Sequence, residues 1–498
     1  MAPIRIRLVR DAPPSPSGRF VLYWMIAFRR LSWNFALDRA VEWARELRLP
    51  LLIFEPLRVD YPWACDRFHR FVLDGMAEKM RALENCPGVR YFPYVEPAPG
   101  RGKGLLAALA ASASVVVTDD FPCFFLPRMV AAAAERIPSA RFEAVDSNGL
   151  LPLRASSQAF PSAHSFRRFL QKNLAAHLSQ FPGPRPLSRL LLPALPPLPP
   201  ELLRRWPPAT LAQLEDSSFT ASLPVSREPG ASGMAGGEKP AHAALAEFLS
   251  KPLALYSRDR NHPDARATSG LSPALHFGHI SAHEIFSRLA AREKWSDAKL
   301  SLRPSGSRAG WWGMSPPAEE FLDHLVTWRE VGFNFCAFRP DFDRFESLPP
   351  WAKKSLENHA RDEREWTYSL AEFASASTHD PLWNAAQRQL LREGRIHNYM
   401  RMLWGKKILE WSRSPREALD ILVELNNRFA LDGRDPNSYN GIFWCLGRYD
   451  CPWGPERPVF GTVRYMSSQN TARKLRLKGY LKEFGEASME STSHRRRK

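Results

Sequence analysis

Residues 20–54 read FVLYWMIAFRRLSWNFALDRAVEWARELRLPLLIF, and this stretch decides the fold class of the first third of the chain. Phe20–Ile26 is a short apolar run bounded by polar residues, too brief for a core helix, and reads as a buried strand. Asn34–Leu47 sets apolar side chains at helical spacing among Arg and Glu. Leu51–Phe54 is a second strand. A strand, an amphipathic helix and another strand form a crossover unit, whose sheet is parallel and covered on both faces. Working outward, Arg67–Leu83 repeats the helical pattern and Val115–Thr118 the strand pattern. No G-x-G-x-x-G follows the first strand, so the dinucleotide fingerprint is absent.

At 498 residues the chain exceeds one ordinary core, and two or three domains are expected. Lys and Arg number 69 against 52 Asp and Glu, a net charge of +17 that suits a polyanionic partner. With 44% hydrophobic and 24% charged residues, the composition is that of a folded chain. No apolar run reaches the ~20 residues of a membrane span, and MAPIRIRLVRDAPPSPSG lacks the apolar stretch of a secretory signal. The six cysteines form no C-x-x-C pair and have no histidines at zinc spacing, so neither a disulfide framework nor a metal site is expected. These readings place the protein inside the cell, cytoplasmic in a bacterium or archaeon and nuclear in a eukaryote. Tryptophan is abundant: its 16 copies outnumber the 11 tyrosines, more large oxidisable rings than core packing needs.

Residues 1–18 are expected to be a flexible N-terminus and 19–180 the α/β domain. Between 181 and 240 the segments PGPRPL, PALPPLPPEL and EPGASGMAGGEKP concentrate Pro, Gly and Ser, as an interdomain linker does. Residues 241–481 read as helical, with helices over Ala241–Leu249, Ala282–Arg292, Ala318–Val331, Trp351–His359, Pro381–Leu391, Arg395–Ser412 and Pro415–Phe429. Residues 293–317 read as an irregular insertion. Residues 482–498, ending in HRRRK, read as a disordered basic tail.

Four segments carry chemistry. In YSRDRNHPDARATSGLSPALHFGHIS (Tyr256–Ser281), several arginines flank a Thr-Ser-Gly turn and a Ser-Pro that can open a helix. Hydroxyls and backbone N–H groups there suit a phosphate or pyrophosphate; a capped helix beside a solvated basic loop is the plainer alternative. In FLDHLVTWREVGFNF (Phe321–Phe335), His324 and Trp328 lie one helical turn apart on one face, lining either a pocket or a core edge. Trp404 and Trp411 are seven residues apart, about 10 Å along one helix face, and Trp383 precedes them in an adjoining turn. Such a stripe is either core or a relay for hopping electrons. Finally, LDGRDPN is a carboxylate-rich turn that can bind a ribose, pair with Arg401 or stay solvated. After it, Arg448, Arg457 and Arg464 surround Trp444 and Trp453, an interleaving that suits phosphates and stacked bases.

Together these segments resemble the class II cyclobutane pyrimidine dimer photolyases, light-driven DNA repair flavoenzymes of the photolyase/cryptochrome family. The specific matches are NHPDARATSGLSPALHFGHIS, THDPLWNAAQ, RMLWGKKILEW, LDGRDPNSYNGIFW and ERPVFGTVRYM. The resemblance is close from Ala241 to about Leu481 and reaches the first domain through RRLSWNFALDRAVEWARELRLPL. It implies an α/β Rossmann-like antenna domain joined to an all-α FAD-binding domain. It further implies non-covalent FAD, a possible antenna pigment of unspecified identity, DNA containing pyrimidine dimers as the partner, and a monomer.

Position by position, the resemblance assigns Tyr256 and Thr268, Ser269, Gly270, Leu271 and Ser272 to the FAD pyrophosphate and ribitol. Asn426 would face flavin N5, Arg401 and Asp432 would pair beside the isoalloxazine, and Arg329 and Asp435 complete the cofactor set. Trp404, Trp383 and Trp411 would be the photoreduction chain. Trp328 and Trp444 would stack on the flipped dimer, with Met402, Arg260 and Asn261 lining its pocket and Arg464 on phosphate. His324 stands where the family has a Glu, and is expected to serve as a neutral hydrogen-bond donor to the dimer. LGRYDCPW also differs from the family's loop. The alternative function is a cryptochrome-like blue-light receptor that keeps FAD and the tryptophans without repair; a non-catalytic DNA-binding scaffold explains the charge alone.

Overall fold

The structure, a computed structural model, describes residues 2–137 and 140–486; most of the expected basic tail lies outside the described residues. These group into two compact units. The first takes in residues up to 157, 172–245 and 271–297, and the second 158–171, 246–270 and everything described from 298 onward.

The first unit is built on a six-stranded sheet. Its strands are β1 (Ile6–Arg10), β2 (Phe20–Trp24), β3 (Leu51–Leu57), β4 (Val89–Val95), β5 (Ala113–Asp119) and β6 (Arg141–Val145), in the order β1-β6-β5-β2-β3-β4. All neighbours are parallel except β1, which runs antiparallel to β6. Every residue of β2 and β5 is buried, which explains why the central strands read as continuous apolar runs instead of alternating ones. The helix Phe35–Leu47 begins where Asn34 accepts from the backbone N–H groups of Ala36 and Leu37.

Two expectations for this unit need correction. Residues 6–10, placed in a flexible N-terminus, form the edge strand β1, with Ile6 opposite Val145. Its IRLVR sequence hides the strand because an edge strand tolerates charge on its open side. Arg5 fastens it from below, fully buried, donating to the Leu150 carbonyl at 2.8 Å and lying 4.4 Å over the Phe35 ring. Residues 181–240, expected as a linker, group instead with this unit. Leu198, Leu202 and Trp206 join its core, and the Trp206 indole donates to the Arg101 carbonyl at 2.9 Å. Proline-rich composition signalled irregular backbone; it did not signal a free tether.

The second unit is helical, centred on Pro381–Glu393, Asn398–Trp411, Pro415–Phe429 and Pro436–Cys445. Each starts on a Pro or an identifiable boundary. Asp380, Ser414 and Asp435 accept from the first-turn N–H groups of three of them, and Gly394 ends the first in the left-handed conformation. The expected single helix over Ala318–Val331 is interrupted. Pro316–Leu322 is α-helical, Asp323–Trp328 widens into π geometry, and Arg329–Phe338 returns to α. A widened turn of this kind often marks a functional site. Within the expected insertion, the Glu319 carboxylate accepts from the N–H groups of Gly310, Gly313 and Met314, and Trp311 and Trp312 are buried. The expected tail boundary also moves, since the helix Lys478–Phe484 runs past 481. Among the described residues no helix is long and apolar enough to cross a membrane, and no group of three or more His, Cys, Asp or Glu side chains could hold a metal.

Candidate active site

The tryptophans of the second unit form a connected path. Trp383 and Trp404 are stacked with ring centroids 6.4 Å apart and planes 5° from parallel, while Trp383 and Trp411 are 6.1 Å apart at 67°. Trp383 is therefore the middle member, and it sits in the first turn of a helix, not in a connecting turn. All three indoles are buried. Trp404 donates to Gln387 at 2.9 Å, and Trp383 to the Trp404 carbonyl at 3.0 Å, so both rings are fixed by hydrogen bonds as well as packing. Beyond Trp411 the path continues through three rings that sequence reading missed. His379 lies 4.9 Å and Tyr368 5.7 Å from Trp411, the Tyr368 hydroxyl meets His379 Nδ1 at 2.6 Å, and Trp366 stacks on His379 at 4.5 Å. Trp366 is 45% exposed, so the aromatic path reaches solvent.

Near the other end of the path, Arg401 and Asp432 form the expected ion pair, at 2.8 and 3.1 Å, neither fully buried. Asn426 is buried, its amide donating to Ser438 Oγ at 2.6 Å, which orients it. Asp435 caps the helix Pro436–Cys445 by accepting from Asn437 N–H at 2.9 Å. The Arg329 guanidinium lies 4.4 Å over Phe333. Tyr256 is buried against Phe248 and Phe321, and burial pushes its phenol well above the ordinary range.

The Thr-Ser-Gly turn differs from expectation. Thr268, Ser269 and Gly270 belong to the second unit, whereas Leu271 and Ser272 belong to the first. The helix opened by Ser272 ends at His276, five residues in all, too short to supply a macrodipole. The turn leaves Thr268, Ser269 and Gly270 in the second unit, with Gly270 at φ +64°.

The His324 region is more informative. Throughout Phe321–Glu330 every residue is buried except His324 and Trp328, so these two share the one open face of the segment. His324 Nδ1 meets the Glu320 carbonyl at 2.8 Å. That contact places the proton on Nδ1 and leaves Nε2 with a lone pair. Burial holds the imidazole below the ordinary histidine range, and Arg260 adds to the effect. The neutral ring therefore keeps its acceptor at Nε2, whereas the expectation was of a donor toward the dimer. Arg260 is itself engaged, donating to Glu320 at 2.5 Å. Glu320, one turn before His324, went unnoticed in the sequence, although its spacing was visible. Asn261, Met402 and Trp444 are each partly exposed. Gly441 precedes Trp444 by three residues, and a Cβ there would meet nothing within 4 Å, so the helix surface at Gly441 is open. Asn440 donates to the Trp328 carbonyl at 3.1 Å, while its buried Oδ1 has no partner among the described residues. Arg464 lies 4.7 Å over Trp453 and 5.9 Å from Trp444, unpaired with any carboxylate among the described residues. Arg448, expected with the basic cluster, is buried between Phe335 and Phe443 at 3.8 and 3.9 Å.

No protein-family model matches the sequence. Curated relatives do. The chain is 36% identical to the deoxyribodipyrimidine photo-lyase of Methanothermobacter thermautotrophicus, over 96% of this chain and 97% of that one. The chain belongs to the deoxyribodipyrimidine photo-lyase family. Among photo-lyases of the same name, that of Arabidopsis thaliana is 32% identical over 96% of this chain and 92% of its own. The protein of Potorous tridactylus is also 32% identical, over 94% and 82%. The fold agrees: a bacterial class III photolyase from Agrobacterium tumefaciens superposes with a TM-score of 0.67 at 19% identity, over 95% of this chain and 88% of that one. An α/β unit followed by a helical unit is the architecture of this photo-lyase.

Proposed function

We propose that the protein repairs cyclobutane pyrimidine dimers in DNA, using light and a reduced FAD held by its helical unit. The observation that carries the reading is the buried relay Trp404–Trp383–Trp411, continued to the surface at Trp366, in a chain whose full-length relatives are photo-lyases. The residues present suit FAD. Paired but accessible Arg401 and Asp432, an oriented Asn426 amide, and Thr268 and Ser269 beside Gly270 offer donors and acceptors to a ring and to phosphates. FAD, fully reduced and excited by light, would supply the electron that lets the cyclobutane C5–C5 and C6–C6 bonds open and then take it back.

The chain's own residues do the rest. Asn426 would hold the ring edge beside it, and Arg401, tied to Asp432, would place positive charge next to the ring. The tryptophan path would deliver electrons from the surface inward. Trp328 and Trp444, both partly exposed, would stack on a dimer turned out of the duplex, a lesion whose weak stacking lowers the cost of extrusion. His324 Nε2 would accept from a thymine imide N–H, holding the dimer instead of donating to its carbonyl. Asn440 Oδ1 offers a second acceptor near Trp328. Arg464, whose charge no carboxylate neutralises, would meet phosphate. A light sensor would need the relay but not two open stacking rings, and this favours repair.

The test is illumination of chemically reduced protein with an oligonucleotide carrying one thymine dimer. Loss of the lesion in light and not in darkness is expected. A flavin-loaded protein that leaves the lesion intact in light overturns the reading.

A further inference from the structure

Lys406 is fully buried in the helix Asn398–Trp411, two residues after Trp404. Its ammonium donates to the Cys445 carbonyl at 2.8 Å and lies 4.9 Å from the Trp444 ring centroid. No carboxylate forms an ion pair with it among the described residues. The close approach depends on Gly405, where a Cβ would collide with the Cys445 sulfur. Arg464 stands 5.9 Å from the same ring, so Trp444 is flanked by two cations. Among the described residues no cation lies over Trp383 or Trp404. Lys407 lies 5.3 Å over Trp411, but is neutralised by Glu410 at 2.6 Å.

A buried lysine with no carboxylate partner is costly, and its hydrogen bond to the Cys445 carbonyl, at the end of the helix Pro436–Cys445, needs a donor but not a full charge. The consequence of the charge is electrostatic. Removing an electron from an indole creates a cation, and a neighbouring ammonium in a low-dielectric site opposes this strongly. We propose that Lys406 is a positioning residue that acts through Trp444, making this ring harder to oxidise than the Trp404–Trp383 pair and so keeping the electron hole on the relay and off the dimer-facing ring. The inference rests on the roles of Trp444 and Trp404 in the proposed repair reaction. In redox terms, Trp404 would give up one electron to a light-excited oxidised flavin, Trp383 and Trp411 would carry the resulting hole outward, and an external thiol would return one electron and itself be oxidised to a thiyl radical. Trp444 is spared although it lies one helix away.

Burial pushes the Lys406 ammonium down to about 8. Cys445 and Asp450 oppose that fall, and Arg464 adds to it. Of these, Cys445 is itself pushed up to about 11 by burial, so it stays an uncharged thiol while Lys406 titrates. On the lysine's own helix the charged groups are Arg401, Lys407 and Glu410, of which Arg401 and Lys407 are tied to carboxylates. Below about pH 8 the ammonium is therefore present and Trp444 is protected, and above it the protection is lost.

The test uses the full-length protein in the dark, without DNA, so that neither flavin photochemistry nor repair enters. Azide radicals made by pulse radiolysis, in less than one equivalent, each remove one electron from an indole and become azide. The resulting holes redistribute and leave stable oxidation products, counted for each tryptophan by peptide mass spectrometry. In the wild type, Trp444 oxidation should rise roughly tenfold between pH 7 and pH 9.5, the direction set by loss of the neighbouring charge. K406M should show the high level at both pH values, and K406R the low level at both. Trp453, an exposed ring under Arg464, is the internal control. A wild-type profile without a rise overturns the proposal, with or without a folded K406M, and so does K406R matching K406M. Absence of dimer repair would instead sink the proposed repair function, and leaves the order of oxidation to stand or fall on these profiles.

Discussion

Trp383 touches both Trp404 and Trp411, which makes it the residue hardest to bypass in the proposed relay. Trp383→Phe keeps an aromatic ring but loses the hydrogen bond to the Trp404 carbonyl and part of the stacking surface. The variant should lose about 1–3 kcal/mol of stability, as buried substitutions commonly do. Transient absorption should show photoreduction of oxidised flavin nearly abolished, while dimer repair by chemically pre-reduced protein continues at the wild-type yield. Equal loss of both activities would mean that the indole serves only to pack the core. His324 makes a different prediction. Its imidazole stays neutral to lower pH than an ordinary histidine, because burial and then Arg260 oppose the charge. The Nε2 lone pair therefore persists to lower pH than on an ordinary imidazole. It is lost only on further acidification, as the ring gains a proton. The ratio of dimer-DNA Kd between His324→Gln, which can also accept, and wild type should be constant in neutral and mildly alkaline buffer and fall toward acid. His324→Ala should weaken binding roughly two- to tenfold, one hydrogen bond's worth.

At the scale of elements, the placement of Trp383 depends on how its helix begins. Asp380 Oδ1 accepts from Leu382 N–H at 2.9 Å and Trp383 N–H at 3.0 Å, and its other oxygen accepts from Ser468. Asp380→Ala removes the cap and should cost about 1–2 kcal/mol in urea unfolding. Asp380→Asn should recover most of the loss, because an amide oxygen caps nearly as well. The THDPLWN motif thus has a local meaning, cap then Pro at the first helical position, that any soluble helix could share. The widened turn over Asp323–Trp328 has no such signature. It brings His324 and Trp328 to one open face while Asp323, buried between them and the core, is paired with Arg167 at 2.7 Å.

For the whole molecule, the net charge of +17 favours association with a polyanion such as DNA. Each phosphate neutralised by a cation contributes about 0.9 to the slope of log K against log salt. Arg464 keeps its charge unspent, stacked over Trp453 instead of paired. Arg464→Ala should therefore flatten the slope by about one unit, measured by fluorescence anisotropy across a salt series. Arg448→Ala should leave the slope unchanged while lowering stability, because its guanidinium is clamped between Phe335 and Phe443 and bonded to the Phe342 carbonyl. The two arginines look alike in sequence and differ entirely in exposure.

What the sequence determined by itself is what local chemistry encodes. Continuous apolar runs announced three buried strands, and apolar side chains at helical spacing announced the helices near 34–47, 381–391 and 415–429, because such patterns act within a few residues; the helix Pro436–Cys445, which follows a turn signature, was not announced. The motifs from Asn261 to Ser281 and from Thr378 to Met466 were enough to point to the family. Other features had no local signal. β1 was hidden by its arginines, the proline-rich segment packed where a tether was expected, and Glu320 took Arg260. The tautomer of His324 depended on a carbonyl one turn away, in a helix whose widening the sequence does not announce. Trp383 came between Trp404 and Trp411, and Lys406 came beneath Trp444, only because separate helices cross closely, the second pair at Gly405. Such distances are set by how side chains from distant parts of the chain fill a shared interior, and that information exists only once the interior has formed.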